Sequence, residues 1–304
     1  WRWTFPVDKL NQQTEQLSPL SSRPTYTETE NDLTVKANKR TFIFSKKDGQ
    51  LKGVSVDNRK INFANGPRFI GARRADRSLD QFYNHDDEKA KEKDRTYSEF
   101  PDAAVFTKLD VKEDGGNLVV TANYKLGNLD KAQWTINPSG DLALDYTYNF
   151  SGVVDLMGIR FDYPEDQVIS KRWLGAGPYR VWQNRIHGTQ YDVWENDYND
   201  PIPGETFTYP EFKGYFGDVS WMNIQTKEGT ISLTNETPDT YIGVYQPRDG
   251  RDRLLYTLPE SGISVLNVIP PVRNKVNSTD LCGPSSQPKW VNGPQTGRVI
   301  FRFM

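Results

Sequence analysis

The stretch Asp141-Leu142-Ala143-Leu144-Asp145-Tyr146-Thr147-Tyr148 decides the fold class. Large apolar side chains fall on every second residue, and the positions between them are small or polar. A period of two means that successive side chains point to opposite faces, as in a strand with one face in a core and one in water. A turn signal, Ser139-Gly140-Asp141, stands just before it. Upstream, Ala132 to Ile136, Leu118 to Lys125 and 104–111 read as further strands, punctuated by Asp114-Gly115-Gly116. Downstream, 156–162, Val219 to Gln225, Thr230 to Thr234, Thr240 to Tyr245, Ile263 to Val268 and Arg298 to Phe303 continue the series. Toward the N-terminus, Leu33 to Ala37, Thr41 to Phe44 and Leu51 to Val56 form a ladder. Lys46-Lys47-Asp48-Gly49 is a hairpin signal within it, because Asp-Gly supplies the positive φ that a tight turn needs. Many short strands separated by turns, with no repeat of 20–50 residues, predict an all-β, large antiparallel β-sandwich.

Composition narrows the chemistry. The 304 residues carry 38 Lys+Arg against 40 Asp+Glu, a net charge of −2. A nucleic-acid binder normally shows a basic stripe and a high pI, so none is expected as a partner. Mean hydropathy is −0.74 and no apolar run approaches the ~18 residues of a membrane-spanning helix, so no membrane partner is expected either. Aromatic residues are plentiful (8 Trp, 15 Tyr, 15 Phe), whereas there are 2 His and 1 Cys. That scarcity excludes a Cys-rich zinc site and leaves little for His-based catalysis.

Residues 1–30 read as the end of a preceding domain followed by a linker. Trp1 to Val7 alternates like a last strand, and Asp8 to Glu30 is rich in Gln, Ser, Thr and Pro with no period. The sandwich domain is expected over 31–304. Residues 84–96 form a mixed charge run, the pattern of a solvated face. Residues 175–217 have no long strand pattern and are rich in Gly, Pro, Tyr, Trp, Asn and Asp. An aromatic excursion of that kind inside a β fold is expected to be a functional or interface loop.

Within it, Trp173-Leu174-Gly175-Ala176-Gly177-Pro178-Tyr179-Arg180-Val181-Trp182-Gln183-Asn184-Arg185 combines a Gly/Pro turn with aromatic rings and two arginines. Trp182 and Tyr179 have ring faces that suit the C–H face of a sugar, and Arg180 and Arg185 offer planar donors for ring hydroxyls. The same composition suits a rigid loop packed against another domain. The Gly-x-Gly is not a phosphate loop, since no Lys-Ser/Thr follows it.

These residues resemble the C-terminal domain of the large bacterial β-galactosidases of glycoside hydrolase family 2. The resemblance rests on Trp173-Leu174-Gly175-Ala176-Gly177-Pro178, then Arg185, Pro210-Glu211-Phe212-Lys213-Gly214 and Asp218-Val219-Ser220-Trp221, in that order. Ala37-Asn38-Lys39-Arg40-Thr41-Phe42-Ile43-Phe44 with Asp48-Gly49 is similar to the domain's opening hairpin. The resemblance implies a very large sandwich (supersandwich) of galactose mutarotase-like fold. It further implies that the catalytic glutamates belong to a separate TIM-barrel domain. This chain would then complete the carbohydrate-binding rim, with other domains of the same enzyme and a β-galactoside or other glycan as partners. By order, Trp290 in Ser285-Ser286-Gln287-Pro288-Lys289-Trp290 would stand near the sugar, and Glu211 belongs to the matching motif. Relatives of this kind are often exported, which implies a periplasmic or secreted protein. Two departures stand out. The family's acidic triplet after the first strands is replaced by Arg73-Arg74-Ala75-Asp76, and the Glu that often follows Gly-Pro is replaced by Tyr179-Arg180.

Two alternatives remain open. An autonomous carbohydrate-binding module would use the same aromatic loop. An aldose 1-epimerase would need His and Glu as acid and base, and His187 is the sole candidate outside the charge run. No cofactor is expected within the chain. Glu195-Asn196-Asp197-Tyr198-Asn199-Asp200 clusters the oxygen ligands that suit calcium or sodium, although Asn and Asp also simply favour turns. Cys282 has no base in its local sequence and reads as a packing residue.

Overall fold

The computed structural model describes residues 22–74, 97–197, 214–244, 259, 262–271 and 284–304. The charge run at 84–96, Glu211 and Cys282 lie outside them, as do Trp1 to Val7. In chain order the strands are β1 (Thr25–Glu28), β2 (Asp32–Ala37), β3 (Arg40–Ser45), β4 (Leu51–Val56), β5 (Arg59–Ile61), β6 (Ala64–Arg74), β7 (Tyr97–Glu99), β8 (Val105–Asp114), β9 (Asn117–Lys125) and β10 (Leu129–Ile136). They continue with β11 (Leu142–Val154), β12 (Leu156–Asp162), β13 (Val168–Gly177), β14 (Gln190–Asp197), β15 (Trp221–Thr226), β16 (Gly229–Asn235), β17 (Tyr241–Val244), β18 (Ile263–Val268) and β19 (Lys289–Phe303).

Two antiparallel sheets result. One has ten strands in the order β1-β2-β3-β4-β6-β12-β18-β17, with β5 beside β4 and β7 beside β6. The other has nine, β14-β13-β15-β16-β19-β11-β10-β9-β8. The expected all-β antiparallel sandwich is what the chain forms. Helix is confined, among the described residues, to short 3-10 turns such as Glu165–Gln167 and Pro284–Ser286, and no helix is long and apolar enough to cross a membrane.

The alternation that predicts β11 is the alternation that buries it. Leu142, Leu144, Tyr146 and Tyr148 are buried, while Asp145, Thr147 and Asn149 face outward. Between the sheets, Phe63 stacks on Phe161 of β12 at 4.7 Å and meets Phe301 of β19 at 5.1 Å. Trp134 of β10 adds an edge contact to Phe161 at 6.0 Å. Offset and edge-to-face ring pairs contribute beyond their buried area, so this aromatic cluster ties the two layers. β11 pairs along its whole length with β19, from Leu142 opposite Phe301 to Val154 opposite Lys289. Buried Asp155 then carries the chain across to β12 in the other sheet.

Several strands fall where the sequence has none of the expected period. Thr25–Glu28, inside the stretch read as linker, pairs with β2 as an exposed edge strand. β6 runs through Gly66-Pro67. The long excursion at 175–217 is the largest difference: it begins in β13 and contains β14, and the two strands pair from Ser170 opposite Asp197 to Gly177 opposite Gln190. β13 hides its pattern because its inward row includes Lys171 (1% exposed) and closely packed glycines. β14 hides its own because it is an edge strand carrying charges.

Candidate functional site

The strand ends of both sheets meet at one rim. β6 ends there, β11 crosses there to β12, β13 ends at Gly177 and β19 starts at Lys289. The loop that follows β13 folds over this rim. A tight turn pairs Trp182 with Arg185 through two backbone bonds, Arg185 N–H to Trp182 O at 2.8 Å and the reverse at 3.3 Å. Val181 exchanges both backbone bonds with Tyr215, which anchors the loop on the segment after residue 213.

The side chains of the loop divide by burial. Trp182 is 2% exposed and meets Tyr215 edge-on at 5.7 Å, in a small apolar cluster with Ile70, Leu156 and Leu266 on the outside of the ten-stranded sheet. Arg180 is also buried, its guanidinium 5.7 Å from the Phe216 ring centre. Both residues therefore pack the loop onto the sandwich, and neither ring nor guanidinium presents a face to solvent. Tyr179 is half-buried, with its hydroxyl against Gly188. Arg185 and His187 are exposed at the tip. The alternation of β14 sends Glu195 and Asp197 outward and buries Asn196 on the other side, so these three oxygens do not converge; Tyr198 to Asp200 lie outside the described residues.

Gln183 and Asn184 connect this loop to the approach to β19. Gln183 Nε2 donates to Gln287 O at 2.7 Å, and Asn184 Nδ2 donates to Ser286 Oγ at 3.2 Å. Trp290 is three residues beyond Gln287, within about 10 Å of extended chain. Its indole is 71% exposed, the largest exposure of any described Trp. The structure thus ties the loop that bears Tyr179 and Arg185 to the segment that leads into Trp290, although more than a hundred residues separate the two.

A second feature escaped the sequence reading. The outward residues of β11 and β19 form a ladder descending from the rim: Trp290 opposite Val153, Asn292 opposite Ser151, Thr296 opposite Thr147 and Arg298 opposite Asp145. At its lower end an open groove of about 390 Å³ is lined by Lys131, Asp145, Thr147, Glu236, Thr237, Thr296 and Arg298, among others. Arg298 is held on two sides, by Asp145 at 2.5 Å and Glu236 at 3.0 Å. Partial burial acts to lower its pKa, but the two carboxylates outweigh it and raise the value above the usual one. Thr237 fixes the groove wall by accepting from Arg298 N–H at 2.7 Å and donating to Arg298 O at 3.2 Å. The polar rows of the period-two pattern were the signal, but they read as an ordinary wet face.

Comparison with known proteins follows this geometry. The family described as beta galactosidase small chain matches residues 36–270. No curated protein sequence matches the chain. Similar solved structures include a galactose 1-epimerase from Lactobacillus acidophilus, with a TM-score of 0.48 and 8% identity over 93% of this chain and 99% of that one. An aldose epimerase homologue from C. elegans aligns with a TM-score of 0.40 and 6% identity, over 92% of this chain and 99% of that one. Since the family match spans well over half of the 304 residues, from β2 to the end of β18, the chain belongs to the beta galactosidase small chain family.

Proposed function

We propose that this chain serves a family 2 β-galactosidase as its non-catalytic C-terminal domain, completing the carbohydrate-binding rim of an active site whose catalytic glutamates belong to a TIM-barrel domain. The family match supports the β-galactosidase assignment. The observation that carries the role is the rim: an indole 71% exposed, on a strand whose approach is hydrogen-bonded to the loop that bears Tyr179 and Arg185. A large aromatic ring left in solvent while neighbouring aromatics are buried suits stacking on a sugar face. Trp290 is the sugar platform in this reading, with Arg185 and Tyr179 as polar contacts. Trp182 and Arg180 hold the loop in place, and Glu211 belongs to the same excursion.

Two measurements test the proposal. The isolated chain is expected to show no turnover of a chromogenic β-galactoside, and measured turnover that follows the protein through purification would overturn the non-catalytic role. In an enzyme that contains this domain, Trp290→Ala is expected to lower kcat/KM by about tenfold, equivalent to about 1.4 kcal/mol of lost transition-state binding. An unchanged kcat/KM would remove Trp290 from the rim.

A further inference from the structure

The outer face of the nine-stranded sheet carries a polar row that runs on from Trp290 at the rim. Along β19 the even-numbered residues point outward, and the odd-numbered ones, ending in Val299, Phe301 and Phe303, point into the core. The outward row from Trp290 to Arg298 runs over eight steps along the strand, about 27 Å at the antiparallel rise of ~3.4 Å per residue. Trp290 stands at one end. Asn292 follows, accepting from Ser151 Oγ at 2.9 Å, then Pro294 opposite Asn149, then Thr296 beside Thr147. The groove of about 390 Å³ closes the other end.

The charges of that groove decide what it would accept. Lys131 and Arg298 provide two positive groups, and Asp145 and Glu236 two negative ones. The Arg298 guanidinium already faces both carboxylates. An anionic ligand would have to displace these carboxylates, and a cationic one would meet Lys131 and Arg298. A neutral ligand rich in hydroxyls is matched instead, because it can donate to carboxylate oxygens and accept from guanidinium and ammonium groups at once. The groove's volume lies within the range of small-molecule sites. The ladder above it adds hydroxyl and amide partners from Asn292, Ser151, Asn149, Thr296 and Thr147, and Trp290 adds a ring for stacking.

We propose that this face binds a neutral oligosaccharide along β11 and β19, from Trp290 at the rim down to the Arg298 groove, as an extension of the rim site. The choice of a galactose-containing chain rests on the β-galactosidase reading; the class of ligand does not. The site would hold a polymeric or branched substrate beside the enzyme rather than at its cleavage point.

The test uses the full 304-residue chain with β-1,4-galactotetraose as probe, read by tryptophan fluorescence and calorimetry. Saturable binding is expected, with a change in indole emission. Trp290→Ala is expected to abolish the emission change and to weaken affinity at least tenfold. Thr296→Arg, an exposed position between the two ends, is expected to weaken affinity by a similar factor while the thermal midpoint stays within a few degrees. In the complete enzyme Thr296→Arg should leave hydrolysis of a small chromogenic β-galactoside unchanged, which separates this extension from the rim. Binding that survives Thr296→Arg at full strength would overturn the groove. So would failure of the parent chain to bind either galactotetraose or cellotetraose, or tighter binding of polygalacturonate than of a neutral probe. Binding of cellotetraose without galactotetraose would keep the groove and overturn the galactoside choice.

Discussion

Trp182 and Trp290 are the same side chain put to opposite uses. In the sequence both sit in Pro- and Gly-containing segments beside polar donors, and both look suited to a sugar ring. Burial separates them: one is 2% exposed against Tyr215, the other 71% exposed at the start of β19. Removing the first should therefore cost stability. Trp182→Ala is expected to lower the free energy of unfolding by about 3–5 kcal/mol, the range for deleting a buried aromatic, as read from urea denaturation. Trp290→Ala should stay within about 0.5 kcal/mol of the parent in the same assay, because it empties no packed space. Equal losses in both variants would contradict the division. Arg180 and Arg185 repeat the contrast, one buried beside Phe216 and the other at the exposed loop tip.

At the scale of the element, legibility follows the physics of each strand. The Asp48-Gly49 turn could be read in full. Asp48 Oδ1 accepts from Gln50 N–H at 3.1 Å, and Gly49 takes φ +73°. Its tertiary setting could not be read: a Cβ there would lie 2.6 Å from the Phe106 ring and 2.8 Å from Ala122. Gly49→Ala is expected to cost about 1–3 kcal/mol, from left-handed backbone strain together with overpacking, measured by chemical denaturation. A neutral result would mean the turn shifts freely away from β8 and β9. β11 was legible because one face is wet and one dry. β13 was not, because it is flanked by β14 and β15 and buries Lys171, which breaks the simple alternation. β14 showed no period because an edge strand tolerates Glu195 and Asp197 on its outward row, while Asn196 occupies its buried one.

The whole sandwich makes a claim about pH. Tyr146 and Tyr148 stack in parallel at 6.2 Å beneath the nine-stranded sheet, 2% and 0% exposed. Burial raises both hydroxyl pKa values above the ordinary value of 10.0, and for Tyr148 the neighbouring Tyr146 adds to it. Tyr148 also donates to Asn267 Oδ1 at 2.6 Å, a bond that needs the proton. The folded state therefore holds these protons more tightly than the unfolded chain does. Their stabilisation is fully present below about pH 10 and is lost as pH rises beyond it. The urea midpoint is expected to be insensitive to these two groups between about pH 8 and 9.5 and to fall at about pH 11, with a smaller fall in Tyr148→Phe. An identical fall in that variant would place the alkaline sensitivity elsewhere.

What the sequence determined by itself was the class of the fold and the family resemblance. Period-two burial and glycine turns are local properties, each legible within a few residues such as Leu142 to Tyr148. Only the tertiary structure decided which aromatics are core and which are surface, and that polar rows on β11 and β19 converge with the 236–238 turn on one groove. Those facts depend on pairing between residues far apart, Asp145 with Arg298 and Gln183 with Gln287. A side chain's exposure is set by what the rest of the chain lays over it, and no window along the sequence contains that covering.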